Sequence, residues 1–317
     1  MVKKITVVGA GNVGATVAND VALRNLAEEV ILIDIKEGLS EGKALDMWES
    51  SSIMGFHSRV KGVTNDYSAT ANSDIVVITA GIPRKPGMSR DDLIGTNAKI
   101  VKSVAEQAIK YSPNAVFIVV SNPLDVMTYA VYKTVAKAVG KPTNQVFGMA
   151  GTLDVARYKA FIAEALNVSP TNIQALLMGG HGDTMVPLPR YTSIGGIPLT
   201  QLMDKETIDK IVERTQKGGG EIVNLLGTSA WYAPGAAVTQ VVESVALNKR
   251  EILPVCAYLN GEYGYNDIYI GVPVVLGSNG IEKIVEIEMN EEERAAFDKS
   301  AAHVKDVMKV LDDMNIV

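Results

Sequence analysis

Apolar runs without polar alternation recur through the first half of the chain. The segments "KKITVVGAG", "EEVILIDI", "SDIVVITAG" and "PNAVFIVVSNP" are rich in valine and isoleucine and end in glycine, aspartate or Asn-Pro. A strand with one wet face alternates; a run that does not alternate has two dry faces, as in a parallel sheet covered by helices on both sides. Helix-compatible stretches such as "NVGATVANDVALRN" separate the runs, and the segments between them are long enough for right-handed crossovers. The pattern predicts a doubly wound parallel α/β domain over residues 1–148. The second half, 149–317, reads differently. "LDVARYKAFIAEAL" is helical, and shorter strand candidates follow with Gly and Pro punctuation: "IQALLMGG", "TMVPLP", "ILPVCAYL", "YIGVPVVLG" and "IEKIVEIEM". A closing helix begins at an Asn290 cap with Glu291, Glu292 and Glu293 in its first turn. This is the pattern of a mixed α+β domain.

Composition narrows the class. A chain of 317 residues is slightly longer than one core usually supports, which agrees with two domains. With 47% hydrophobic and 21% charged residues, it has the makeup of a folded globular protein. A formal charge of −6 with no basic block argues against a nucleic-acid partner. The single cysteine, Cys256, has no internal disulfide partner, and no Cys/His spacing of zinc-site type is present. The expectation is therefore a reducing cytoplasm and no metal. Two segments imitate membrane or export signals. The N-terminus has a basic start and then no charge until Asp20, but three glycines and Asn12 interrupt it. Residues 222–242 carry no charge, yet Asn224, Thr228, Ser229, Pro234 and Gln240 make a buried helical region the better reading. A soluble, unanchored protein is expected.

Gly9, Gly11 and Gly14 form G-x-G-x-x-G in "GAGNVG", after a strand-like run and at the start of a helix-like one. A second strand ends in Asp34, twenty residues after Gly14. That context is what a Rossmann-type dinucleotide site requires: a tight turn at Gly9, close approach to a pyrophosphate at Gly11, and helix–strand contact at Gly14. The helix N-terminus offers unpaired N–H groups to phosphate. A carboxylate at position 34 accepts bonds from ribose hydroxyls and repels a 2′-phosphate, which favours NAD over NADP. Lys36 nearby leaves NADP open.

After the fourth strand, "AGIPRKPGMSRDDLIGTN" places Arg84, Lys85 and Arg90 within seven residues on a Pro/Gly-broken loop at the ligand-binding edge of such a sheet. Taken alone it reads equally as a solvated connection. Two arginines six apart on a segment able to close as a lid instead suggest recognition of a carboxylate. The other chemical candidate is His181, one of three histidines, set between glycines in "LLMGGHGDTMVP". The glycines suggest that something other than protein must reach its ring. A histidine acting as acid/base needs a partner for its tautomer. In "TLDVARYKAF", Asp154 and Arg157 are i, i+3 and share one helix face. Spacing cannot bring 154–157 to 181, and a surface ion pair with a separate buried histidine is the alternative.

The motifs "GAGNVG", Asp34, "AGIPRKPGMSRDDL", "VSNPLDVMT", "LDVARY" and "GGHGD", in this order and from end to end, resemble the lactate/malate dehydrogenase superfamily. Within it the chain is most similar to the malate-type members near the lactate enzymes. The resemblance implies reversible hydride transfer between (S)-malate and NAD⁺, with a nicotinamide domain and a substrate domain. His181 is then the acid/base and Asp154 its partner; Arg157 binds the C1 carboxylate, and Arg90 polarises the carbonyl from the mobile loop. Asn122 would bond substrate or nicotinamide, although an asparagine before Pro123 also suits a plain turn. The cofactor contacts implied are Gly9, Gly11, Asn12, Val13, Gly14, Asp34, Asn97, Val120 and Asn122. Arg84, glutamine in the family's lactate enzymes, would read the distal carboxylate of a small dicarboxylate. In "LLGTSAWYAPGAAV" the spacing departs from similar malate enzymes, and the carry-over to Thr228 and Ser229 is correspondingly weak. A homo-oligomer, dimer or tetramer, is implied as well. The rival readings are an L-lactate dehydrogenase, opposed by Arg84, and a non-catalytic NAD-binding regulator, opposed by the retained His181, Asp154, Arg157, Arg90 and Asn122.

Overall fold

The computed structural model describes residues 2–83 and 87–317. In the first half, β1 (Val2–Val8) feeds α1 (Asn12–Leu23) and β2 (Ala27–Asp34). Next come α2 (Leu39–Glu49), α3 (Ser51–Met54), β3 (Arg59–Thr64) and β4 (Ile75–Ile78). α4 (Arg90–Tyr111), β5 (Val116–Val119), α5 (Leu124–Val139) and β6 (Val146–Gly148) complete that half. Strands β1 to β6 are all parallel, in the order β3-β2-β1-β4-β5-β6. The order reverses beside β1, and ligands in such sheets bind where it reverses, beyond the carboxyl ends of the strands. Strands β4 and β5 are buried at every position, as their unbroken apolar runs require. β3, "RVKGVT", alternates exposed and buried residues because it is an edge strand, and it therefore stands outside the run pattern.

The second half opens with α6 (Ala150–Leu166). Two-residue strands follow: β7 (Ile173–Gln174), β8 (Leu177–Met178), β9 (Val186–Pro187), β10 (Ser193–Ile194) and β11 (Ile197–Pro198). Then come α7 (Leu199–Leu202), α8 (Lys205–Leu226), α9 (Tyr232–Ala246), β12 (Glu251–Asn260), β13 (Asn266–Gly277), β14 (Gly280–Ile284) and α10 (Glu291–Asp313). The main sheet does not stop at Gly148. β6 pairs antiparallel with β12 through Gly148 and Cys256, and β13 and β14 extend it to nine strands. One core cluster accordingly draws Ile5, Val17 and Ile118 together with Val238, Val255 and Val272.

Asn290 caps α10 as its sequence predicts: its side chain accepts from the Glu293 N–H at 2.8 Å, and Glu293 accepts from the Asn290 N–H at 2.9 Å. The uncharged stretch 222–242 is not one buried helix. α8 ends at Gly227, whose φ of 70° halts it, and Leu225, Leu226 and Tyr232 are largely exposed; burial begins only at Pro234. The physical reason is that α8 presents its last turn outward, whereas α9 lies against α1. A Cβ on Gly235 would fall 2.4 Å from Thr16 Cγ2, so the two helices approach at a position only glycine permits. Among the described residues, no helix is long and apolar enough to cross a membrane.

Candidate active site

The dinucleotide cradle is built from main chain. Gly9 has a φ of +106°, a conformation glycine adopts without strain. A Cβ on Gly14 would lie 1.8 Å from the Gly9 carbonyl oxygen, so the turn and the helix touch with no room for a side chain. Gly11 has nothing within 4 Å of its missing Cβ and is the N-cap of α1, without a side-chain cap. An open approach therefore faces uncapped N–H groups at a positive helix end, which fits a pyrophosphate. Asp34 accepts from the Ala10 N–H at 2.6 Å and the Lys36 N–H at 2.9 Å. Two bonds leave a carboxylate further lone pairs for ribose hydroxyls. A cavity of about 310 Å³ lined by Gly9, Gly11, Asp34, Ile35, Tyr67 and Ile82 lies there.

On the other side of this cradle lies a second cavity, of about 460 Å³. Val13, Val120, Asn122, Leu153, Arg157 and His181 are among its lining residues, drawn from both halves of the chain. α6 delivers Asp154 and Arg157 on one face. Its first turn sits close to β12, where a Cβ on Gly151 would meet Pro254 at 2.8 Å. His181 stands in the turn between β8 and β9. Its Nδ1 lies 2.8 Å from Asp154 Oδ2, while Arg157 Nη1 donates to Asp154 Oδ1 at 3.1 Å. The fold thus brings 154, 157 and 181 together, which sequence spacing could not do. Asp154 is 1% exposed, whereas the His181 side chain keeps 17%, enough to be reached from the cavity. Burial pushes the His181 pKa down, but the Asp154 charge and its hydrogen bond outweigh that, and the net direction is up. Arg157 lines the cavity, and Asp154 takes a bond from Nη1 alone, so the fork keeps donors for an incoming carboxylate.

The glycines around His181 have a different cause from the one their sequence suggests. A Cβ on Gly179 would meet Ser300 Oγ at 2.8 Å, and one on Gly180 would meet Val304 Cγ2 at 2.6 Å. α10 presses on the turn, so protein, not ligand, excludes side chains there. Only Gly182, with nothing within 4 Å, leaves open space beside the ring.

Arg90 is not on an irregular loop. It is the first residue of α4, behind a Ser89–Asp92 capping box, and its Nη2 lies 2.9 Å from His303 Nε2. It shares a small cavity with His181, Thr184 and His303, and His181 also lines the main one. Arg84, with Lys85 and Pro86, lies outside the described residues. Asn97 is 1% exposed and uses its amide on main chain: Nδ2 donates to Asn122 O at 2.7 Å and Ile82 O at 3.1 Å, and Oδ1 accepts from the Ile82 N–H at 2.9 Å. It ties two loops together beneath the cavity. Ser229 lines the main cavity; Thr228 is exposed.

Sequence reasoning missed two groups. Gly218 and Gly219 interrupt α8 where it meets Arg157; a Cβ on Gly218 would lie 3.3 Å from Arg157 Cδ. Three consecutive glycines cost a helix about 2–3 kcal/mol relative to alanine, a signal that this face needs bare backbone. The second is Asp125, a carboxyl in an otherwise apolar first turn of α5, whose Oδ2 accepts from the His181 main-chain N–H at 2.9 Å.

Known proteins carry the same two-part arrangement. Residues 3–148 match the model of the lactate/malate dehydrogenase NAD-binding domain, and residues 151–314 match the lactate/malate dehydrogenase α/β C-terminal domain. The chain belongs to the lactate/malate dehydrogenase family. It is 60% identical to a malate dehydrogenase of Cytophaga hutchinsonii over 98% of both chains. Among solved structures, the malate dehydrogenase of Salinibacter ruber superimposes with a TM-score of 0.94 at 54% identity, covering 98% of each chain. A lactate dehydrogenase of Cryptosporidium parvum complexed with lactic acid and β-nicotinamide adenine dinucleotide gives 0.93 at 40% identity, again over 98% of each chain.

Proposed function

We infer that this chain catalyses the reversible, NAD-dependent interconversion of (S)-malate and oxaloacetate, as malate dehydrogenases do. The observation that carries the mechanism is the buried imidazole–carboxylate pair His181–Asp154 beside Arg157, at the wall of a cavity that reaches Val13 behind the glycine cradle. NAD, when bound, supplies the hydride acceptor or donor for C2 of the substrate. His181 takes the C2 hydroxyl proton during oxidation and returns it during reduction. Asp154 fixes the Nδ1–H tautomer and stabilises the imidazolium. Arg157 holds the C1 carboxylate with the guanidinium donors that its single bond to Asp154 leaves over. Arg90 polarises the carbonyl once it leaves His303, and Asn122 bonds the substrate oxygen. Gly9, Gly11, Asn12, Val13, Gly14 and Asp34 would hold the cofactor together with Val120 and Asn122, and Asn97 would act by holding the loop of Asn122. The division falls near Gly148, with the cofactor cradle before it and the His181–Asp154 pair and Arg157 after it, while Arg84, Arg90 and Asn122 of the first half also serve the substrate.

Oxaloacetate is favoured over pyruvate because its second carboxylate pairs with an arginine at position 84. Such a pair contributes about 1.5–3 kcal/mol net, and pyruvate would leave that arginine desolvated. The experiment is loss of NADH absorbance with each oxoacid. Turnover with oxaloacetate well above pyruvate is expected, and Arg84→Gln should shift the kcat/KM ratio towards pyruvate by about 10- to 150-fold. An unshifted ratio would mean that position 84 does not read the substrate. A cytoplasmic, homo-oligomeric enzyme completes the reading; the exposed Leu45, Ile53, Met54 and Leu225 supply apolar surface for subunit contact.

A further inference from the structure

The turn carrying His181 is anchored at three successive residues by three different elements. Gly179 exchanges main-chain hydrogen bonds with Gly271 of β13, at 2.9 and 3.1 Å. The Gly180 N–H donates to Ser300 Oγ of α10 at 2.8 Å. The His181 N–H donates to Asp125 Oδ2 of α5 at 2.9 Å. The third anchor acts on the histidine itself, and it is a carboxyl where a hydroxyl or carbonyl would serve the same bond. Asp125 is 9% exposed, and its other oxygen, Oδ1, is buried with no N–H or O–H partner among the described residues; the weak thiol donor of Cys256 is the other side-chain neighbour of the carboxyl. An unmet buried carboxyl oxygen costs stability and calls for a compensating role.

We propose that Asp125 is a positioning residue for the reaction: it grips the main chain of His181 while Asp154 grips the ring, so that the imidazole is held at both ends. The proposal rests on His181 being the acid/base. The two grips differ in kind. Asp154 is bound by Arg157 and by the ring, so its charge is matched. Among the described residues Asp125 makes no ion pair. Around it stand His181 of the turn, Asp154 of α6, Cys256 of β12, and across a cavity of about 40 Å³ Arg90 of α4 and His303 of α10. Burial raises the Asp125 pKa, and the Asp154 charge adds to the rise; the thiol of Cys256 and the His181 N–H oppose it. Asp125 serves the turn through its acceptor oxygen Oδ2. The space is tailored to it, since a Cβ on Gly180 would come within 3.3 Å of Oδ2.

The test compares Asp125→Ser, too short to reach the His181 N–H, with Asp125→Asn, which keeps an acceptor oxygen at the same reach. Asp125→Ser should lower kcat by about 10- to 100-fold, the range for small misplacement of a reacting group, with NADH affinity retained. The alkaline limb of its kcat profile for oxaloacetate reduction should move to lower pH, because a loosened ring loses part of its Asp154 bond. Asp125→Asn should restore both the rate, to within about threefold, and the position of the limb. A serine variant with parental kcat and limb, whatever its melting temperature, would reduce Asp125 to a structural residue and overturn the proposal. So would an asparagine variant as impaired as serine, since charge and not the grip would then matter. Should the serine variant fail to fold, the asparagine variant decides alone: a displaced limb, or loss of the low-field Nδ1 proton resonance of His181, overturns the proposal. His181→Asn separates the two readings. If it turns over normally, the acid/base assignment falls; if it is inactive while Asp125→Ser is not, only the role of Asp125 falls.

Discussion

The cradle around Gly9–Gly14 and the constellation around His181 solve opposite problems. The cradle works by absence: bare backbone, an uncapped helix start, and a single carboxylate at Asp34 that is part-exposed and bonded only to main-chain N–H groups. The constellation works by presence. Charged side chains are buried against one another, with Asp154 almost wholly enclosed between Arg157 and His181. Polyanionic phosphate can be held by partial charges on backbone, which among substitutions only proline removes. A proton must be held by one named atom, whose pKa depends on its neighbours. The first region therefore has no room for an added atom at Gly9 or Gly14, and the second depends on every atom it has.

The sharpest break in that comparison is His181→Asn. It should lower kcat by about 10²- to 10⁴-fold, the usual worth of a general acid/base, while fluorescence titration shows NADH affinity nearly intact. Next is Gly14→Ala, which adds one carbon where only 1.8 Å is available. Overpacking of this kind costs about 1–3 kcal/mol or more, and thermal melting should show the loss together with weakened NADH binding. Asp34→Asn should act on the cofactor alone. Losing charge-assisted bonds to ribose is worth about 1.4 kcal/mol, or roughly tenfold in NADH affinity, and the NADH/NADPH preference should narrow while kcat at saturation holds.

The smallest effect is a shift in pH dependence. With His181 as the proposed acid/base, the net rise in its pKa predicts that oxaloacetate reduction declines only as pH climbs through that raised value, while malate oxidation gains over the same interval. The folded value exceeds the unfolded one, so the stability His181 contributes is complete below the unfolded pKa and is lost as pH rises through the folded pKa. Asp154→Asn should move both kinetic limbs to lower pH. Limbs that stay in place would show that some other group sets them.

What was legible in the sequence follows the same division. Local chemistry read correctly: unbroken runs gave β1, β2, β4 and β5, and Asn290 with Glu293 gave the start of α10. β3 was silent because an edge strand need not be apolar on both faces. The glycines beside His181 were visible, but their cause was not, since it lies with Ser300 and Val304 more than a hundred residues later. Arg90 was expected on an irregular loop, but Ser89 and Asp92 cap a helix there despite the nearby prolines.

By itself the sequence determined the parallel sheet, the glycine cradle with its carboxylate, and the residue types needed for a proton and a diacid. These depend on near neighbours, where spacing and steric rules act directly. Only the tertiary structure decided that α6, the β8–β9 turn and the start of α5 converge, so that Asp154, His181 and Asp125 share one buried site. Convergence of that kind comes from burying apolar faces on opposite sides of a nine-stranded sheet, a property of the whole chain that no local spacing contains.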